Sequence, residues 1–383
     1  MIRAQFLAAL GAAGAAGSTE VAQVTPYTPS LRLAVVCPQS GPDARLGRQL
    51  VDGVRAAVDE ANYSRSSFER AFLFDAYDDH NTAADAVVQA SFATGSPDVI
   101  AVIGHLSSGA TLATLQSYAN AQVPLLVPTV TDDRITARGY RNVFRLPTKD
   151  SDEGSLVAAY VISTGSKAPH VVTQDGDYGP TVASGFVRRA GALHLNAGLT
   201  QFSVDKPDFG KAADTILTHA PDCIVLAGNV DDMGGLIGVL RTKGFAGRFV
   251  GTQGFFDAQT IRTYSKIADG LVVSSAVPYY PMAPIAMRDV QLYEARYGPL
   301  TPVAAYGYAG VQLVRLAARR TNATTRQSLI RAIASGGAYD TVTGSYTFGP
   351  TGDVLDPNCY FYRLKDGKFS YERQAHPSGF MLK

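Results

Sequence analysis

A chain of 383 residues exceeds what one hydrophobic core ordinarily serves, so two domains of ordinary size are expected. Its 34 Lys and Arg offset 33 Asp and Glu, and no basic block or Arg-rich stripe is present to neutralise phosphates, which sets nucleic acid aside as a partner. Three isolated cysteines, Cys37, Cys223 and Cys359, stand in apolar runs; a disulfide framework needs more, and they read as small buried hydrophobes.

Residues 1–22 carry Arg3, an Ala/Gly/Leu run from Phe6 to Gly17 and then small residues, the make-up of a cleaved secretory signal. The run is shorter than the ~20 apolar residues a membrane span requires, and nothing later approaches that length. No cysteine precedes its end, so a lipid-anchoring cysteine is not expected; the processed chain is expected to be a soluble periplasmic monomer.

From Leu31 onward, short β-branched runs alternate with amphipathic segments, the pattern of parallel sheets covered by helices. Strands are expected at 31–36, 71–76, 99–103 and 124–127, with helices at 47–62, 83–93 and 110–121, forming one doubly wound lobe. In the first helix Leu50, Val54, Ala57, Val58 and Ala61 share a face. A second set follows, with helices at 153–163, 180–190, 209–220 and 232–242 and strands at 170–173, 199–203, 223–227, 249–251 and 270–274. Helices at 284–297, 303–319 and 325–334 and a β-rich tail at 341–369 are too poor in strands for a third domain. The fold class is therefore α/β, two doubly wound Rossmann-like lobes joined by three crossovers near 146–151, 273–278 and 344–352, with the ligand in the interlobe cleft. Lobe one takes 31–148 and 276–347; lobe two takes 149–275 and 348–383.

Catalytic signatures are missing. The six histidines (His80, His105, His170, His194, His219 and His376) show no metal-ligand spacing, and there is no nucleophile elbow, phosphate-binding loop or strand-led dinucleotide motif. No metal, no cofactor and no enzymatic activity are expected. Carboxylate pairs at Asp78–Asp79, Asp132–Asp133 and Asp175–Asp177 lie at strand ends, where doubly wound folds place ligands, but they serve equally as caps and solvated loops.

One constellation does suggest chemistry. The strand at 99–103 runs through Gly104-His105-Leu106 into Ser107 and Ser108 and straight into a helix. Hydroxyls and free N–H groups at a helix start suit a carboxylate, and they also suit simple capping. The next strand ends at Thr129 and Thr131. Across the cleft a lobe-two strand ends at Tyr178, whose hydroxyl could meet a ligand and whose ring could equally pack.

These residues carry a resemblance. The segments LRLAVVCPQSGPDARLG (31–47), YDDH (77–80), VIGHLSSGAT (102–111), VPTVTD (127–132), RGYRNVFRLPTKDSDEG (138–154), DYGP (177–180), RFVGTQGF (248–255) and GPTGD (349–353), in that order and spacing, resemble the type I periplasmic binding proteins of ABC transporters, in the Leu/Ile/Val-binding group. The resemblance covers nearly all of 31–383. It implies that Ser108, beside Ser107, grips a ligand carboxylate, that Thr129 and Thr131 contact the amino acid, and that Tyr178 faces it from lobe two. It also implies departures. The acid that pairs with a ligand ammonium falls on Gln253, a second lobe-two aromatic falls on Asn229, a first-loop tyrosine falls on Leu46, and a cysteine pair found in some members falls on Asn81 and Ser107.

Leaving a buried ammonium without its carboxylate costs about 3–5 kcal/mol. Either Asp132, Asp175 or Asp177 supplies the charge, or the ligand is a small carboxylate or amide instead of a standard amino acid. Phe255, Phe256, Tyr279 and Tyr280 are candidates for stacking on an aromatic ligand or for the core. The resemblance further implies a membrane permease as partner; a ligand-sensing receptor or regulator of the same fold is the alternative.

Overall fold

The computed structural model describes residues 30–66, 69–276, 284–376 and 379–381; the expected signal at 1–22 and the aromatics Tyr279 and Tyr280 lie outside them. Lobe one opens with β1 (Leu31–Cys37), α1 (Ala44–Tyr63), β2 (Phe72–Asp78), α2 (Ala83–Gly95), β3 (Val99–Gly104), α3 (Ser108–Asn120), β4 (Leu125–Val127), α4 (Arg134–Ala137) and β5 (Val143–Arg145). Its five strands form a parallel sheet in the order β2-β1-β3-β4-β5. Every residue of β3 is buried, as expected of a central strand covered on both faces.

Lobe two follows with α5 (Asp150–Ser163), β6 (Pro169–Gln174), α6 (Tyr178–Ala192), β7 (Gly198–Phe202), α7 (Phe209–Leu217), β8 (Cys223–Ala227), α8 (Val230–Thr242), β9 (Arg248–Gly251), α9 (Ala258–Tyr264) and β10 (Val272–Ser275). The chain then returns through α10 (Pro284–Tyr297), α11 (Pro302–Thr321), α12 (Arg326–Ile333) and the ribbon β11 (Tyr339–Thr341) and β12 (Gly344–Tyr346), and finishes with β13 (Cys359–Lys365), β14 (Lys368–His376) and β15 (Gly379–Met381). The second sheet runs β15-β14-β13-β10-β9-β8-β6-β7, parallel from β7 to β10 and antiparallel beyond.

The three returning helices rejoin lobe one: Tyr293, Leu313, Val314 and Leu329 share a core with Leu33, Val35, Leu50 and Val54. Residues 348–354, grouped with lobe two in the reading above, also stay with lobe one. Phe348 meets Phe144 edge-on at 5.2 Å, and Gly352 O accepts the Arg145 N–H at 2.9 Å. GPTGD is turn-rich and carries no periodicity, so nothing local betrays this allegiance.

Two elements of lobe one, α4 and β5, were not expected, and three lobe-two helices begin earlier than their apolar spacing suggests. Helix α5 starts at Asp150, α6 at Tyr178 and α8 at Val230. Polar first turns hide helix starts from hydrophobic periodicity. The shift matters, because it places Asp150 and Tyr178 on rigid helix ends beside the cleft. Helices α5 and α6 pack backbone to backbone: a Cβ on Gly154 would stand 2.0 Å from Val182 O, and one on Gly185 would stand 2.2 Å from Ser151 O. Only glycine permits that approach.

Candidate functional site

The lobe-one wall is built at the carboxyl ends of β3 and β4. After β3, the fully buried His105 is clamped, its Nδ1 2.6 Å from Asp79 Oδ2 and its Nε2 2.9 Å from the Tyr118 hydroxyl. This cross-link ties the ends of β2 and β3 to α3 and fixes the segment that follows. Ser107 is the N-cap of α3, its hydroxyl accepting the Ala110 N–H at 3.4 Å, and Ser108 is the first helical residue. Orphan N–H groups of the first turn therefore face the cleft beside two hydroxyls. Asp78, by contrast, is occupied with structure, accepting from Gln39 N, Ser40 Oγ and His80 N.

Beyond β4 the chain passes Thr129 and Thr131. Its carbonyls are held from behind by the buried Arg145, whose Nη1 donates to Asp132 O at 2.7 Å and to Val130 O at 3.3 Å. Arg145 Nε reaches Asp353 Oδ1 at 2.9 Å and Nη2 reaches Thr136 Oγ1 at 2.7 Å. The Thr129 hydroxyl is buried and has no hydrogen-bond partner.

The lobe-two wall is organised by a buried acid that the sequence did not single out. Glu153 Oε1 accepts the Gln253 N–H at 2.8 Å and the Ser274 hydroxyl at 2.6 Å, and its Oε2 accepts the Tyr178 hydroxyl at 2.9 Å. Burial pushes its carboxyl up, against the pull of these three donors. The Tyr178 proton is therefore committed to Glu153. Tyr178 lines the cavity, and the hydroxyl expected to meet a ligand is, in this arrangement, held by Glu153.

Between the walls lies a cavity of about 810 Å³, lined from lobe one by Ser107, Ser108, Thr129 and Thr131 and from lobe two by Tyr178, Asn229 and Gln253. Seven of the eight residues singled out above thus converge. Leu46 does not: it sits in the first turn of α1 and is absent from the lining, so the loop–helix junction turns away from the cleft there. Phe256 lines the cavity while packed on Tyr362 and Phe369 at centroid distances of 4.7 and 4.9 Å; Phe255 is wholly in the core.

The acids proposed to replace the charge at Gln253 are already engaged. Arg134 binds Asp132 through Nε at 3.0 Å and Nη2 at 2.5 Å, and the same Nη2 reaches Asp177 of lobe two at 2.7 Å. That ion pair bridges the lobes at the cavity edge, and the Arg134 hydrogen bonds hold the Asp132 carboxyl below its ordinary range despite burial. Asp175 is outside the lining and accepts Val204 N. A different acid, Asp150, lines the cavity. Its only sequence signal is the acid-rich KDSDEG stretch right after a strand-end proline and threonine. Among the described residues, no group of three or more His, Cys, Asp and Glu is placed to hold a metal ion, and no helix is long and apolar enough to cross a membrane.

Two doubly wound lobes enclosing a cavity at their strand ends define a two-lobed solute-binding protein. The sequence profile described as periplasmic binding protein matches residues 30–368, and the chain belongs to that family. Within it the relatives are of the type I, branched-chain amino acid group. Leu/Ile/Val-binding protein homolog 3 of Brucella melitensis is 25% identical over 345 residues, covering 88% of this chain and 92% of the relative. A crystal structure described as that of a "putative branched-chain amino acid ABC transporter" from Rhodospirillum rubrum is 26% identical, with a TM-score of 0.79 over 90% of this chain and all of that one. A solute-binding protein of an ABC transporter from R. palustris, solved in complex with benzoate, is 21% identical, with a TM-score of 0.70 over 93% of this chain and 98% of that one.

Proposed function

We propose that the protein is the extracytoplasmic solute receptor of an ABC importer, capturing a small carboxylate-bearing solute, an amino acid or an aromatic or aliphatic acid or amide, between its lobes and altering nothing in it. The observation that carries the reading is the convergence of the α3 start, Thr129 and Thr131 with Tyr178, Asn229 and Gln253 on one cavity. The ligand carboxylate is assigned to Ser107, Ser108 and the first-turn N–H groups of α3. Contacts from both walls favour the closed form by their differential free energy, and the closed form is the one offered to a membrane permease. The Leu/Ile/Val name of one relative and the benzoate bound to another bracket the ligand classes to test.

A thermal-shift panel of amino acids, aliphatic and aromatic carboxylates and amides tests this. A ligand at about 100 times its dissociation constant stabilises by about 2.7 kcal/mol. Ser108→Ala removes one charge-assisted hydrogen bond to the carboxylate, with an expected loss of about 1.5–3 kcal/mol in binding and no change in unliganded stability. A ligand bound equally well by Ser108→Ala would place the carboxylate elsewhere.

A further inference from the structure

A second cavity, of about 600 Å³, opens at the end of lobe one opposite the interlobe site, where β1 and β2 begin. Its size falls within the roughly 300–1,000 Å³ of small-molecule sites. Leu31 and Phe72, the paired first residues of the two strands, supply an apolar floor. Among the described residues, the charged lining is Arg70, Arg315 and Arg319 against one acid, Glu69. Three guanidinium groups facing one carboxylate leave positive charge in excess, in a chain whose 34 Lys and Arg and 33 Asp and Glu otherwise nearly cancel.

That carboxylate is shared at long range. Glu69 Oε2 stands 3.3 Å from Arg315 Nη2 and Oε1 stands 3.4 Å from Arg319 Nε. A well-formed charge-assisted pair closes to about 2.7–2.9 Å. The Arg315 side chain is 14% exposed, reaches Ser64 Oγ at 3.0 Å and Ser64 O at 3.4 Å, and has a buried Nε with no hydrogen-bond partner. Under-satisfied donors of a largely buried guanidinium are costly and call for an acceptor. Arg70 makes no hydrogen bond or ion pair among the described residues, and the side chains of Asn322 and Thr324, which line the same cavity, make no hydrogen bond there.

The counter-charge is not hidden behind the arginines. A smaller pocket that shares Arg315 and Arg319 holds Glu60 and Asp340, but neither acid forms an ion pair among the described residues, and Glu60 accepts the Tyr308 hydroxyl. The cluster leaves no basic stripe in the sequence because its members come from two places: Glu69 and Arg70 lead into β2, whereas Arg315 and Arg319 sit on α11.

We infer that this cavity is a second ligand site, separate from the interlobe cleft, for a small organic dianion of the phosphate monoester kind. Arg70, Arg315 and Arg319 hold the charged end, and the apolar end lies over Leu31 and Phe72. The planar guanidinium fork matches the oxygens of phosphate two at a time, and a doubly charged group answers the excess of positive charge. The apolar floor favours an ester with a hydrocarbon body over the bare ion.

Calorimetric titration of the full chain at pH 8 with phenyl phosphate, a dianion there, and with inorganic phosphate tests this. Phenyl phosphate is expected to bind about threefold or more tighter than inorganic phosphate. Arg70→Ala is expected to weaken it about tenfold or more, and Arg70→Glu to abolish it. Arg70 has no partner to strand, so the thermal midpoint of unliganded Arg70→Ala should match that of the unsubstituted protein, which separates lost binding from lost folding. Absence of phenyl phosphate binding, or binding unmoved by both substitutions, would overturn the second site. Inorganic phosphate bound as tightly as the ester would overturn the apolar half of the assignment. Sedimentation with phosphatidylglycerol vesicles that depends on Arg70, without phenyl phosphate binding, would replace the solute site with a membrane contact.

Discussion

Arg145→Ala is expected to lower stability by about 3–5 kcal/mol and to abolish measurable ligand binding, although Arg145 itself does not line the cavity. Its guanidinium is fully buried and every direction of its fork is used: Asp353 Oδ1 at 2.9 Å, the carbonyls of Asp132 and Val130 at 2.7 and 3.3 Å, and Thr136 Oγ1 at 2.7 Å. Removing it strands the Asp353 carboxylate with only Lys149, 3.9 Å away, as a cation, and it frees the two carbonyls that hold the Thr129–Asp132 segment in place. Breaking a buried pair from one side leaves an uncompensated charge, which is why the cost exceeds that of an exposed ion pair, about 0–1 kcal/mol. Arg145→Lys should recover little, because a point charge on a flexible stem cannot reach four acceptors in one plane. Urea unfolding at neutral pH reads the effect; a loss under about 1 kcal/mol would mean that the cluster is not what fixes the strand end.

The second large effect is expected at Glu153. Glu153→Ala leaves the Tyr178 hydroxyl, the Ser274 hydroxyl and the Gln253 N–H without their acceptor, at about 1–3 kcal/mol each where water cannot substitute, so a loss of about 3 kcal/mol or more is expected. Glu153→Gln keeps one acceptor oxygen and should lose less. The pH dependence separates charge from hydrogen bonding. The folded pKa is raised, so the folded chain holds this proton where the unfolded chain, near 4.3, has released it. The contribution of Glu153 to stability is therefore fully present below the unfolded value and is progressively lost as pH rises through the folded one. The deficit of Glu153→Gln relative to the unsubstituted protein should accordingly shrink as pH rises. A deficit that grows with pH would show that the three donors outweigh burial and that the carboxylate is held ionised.

The two-lobe architecture was legible because it is written in local, repeated patterns. A strand such as β3, apolar throughout, followed by hydroxyls and a helix, declares both its burial and its ligand-facing end. Ser107, Ser108, Thr129, Thr131, Tyr178, Asn229 and Gln253 all reach the cavity wall for that reason: each stands at or just after a strand end, where the topology brings the chain to the cleft. Leu46 does not share that position: it lies within α1, well past the end of β1, and is off the wall.

What the sequence did not disclose is the machinery behind the wall. Arg145 finds Asp353 across 208 positions and Glu153 finds Ser274 across 121, and pairings of that span leave no periodicity to read. Asp150 and Glu153 look like the acidic first turn of a soluble helix, which they also are, since negative charge is favourable there. Only the approach of α5 to α6 and to the carboxyl ends of β4, β9 and β10 turns those two acids inward. At Gln253 the missing acid alone does not reveal that Asp150, from a different element, also lines the cavity. Local substitution is weak evidence about a cavity whose charges come from several elements.

The central claim is that the two walls close on a ligand. Small-angle X-ray scattering of the full chain, with and without a solute confirmed to bind by thermal shift, tests it most directly. The radius of gyration is expected to fall on saturation, with the scattering of the liganded protein matching the compact arrangement in which Arg134 spans from Asp132 to Asp177. Scattering curves that superimpose at full saturation would contradict capture by closure.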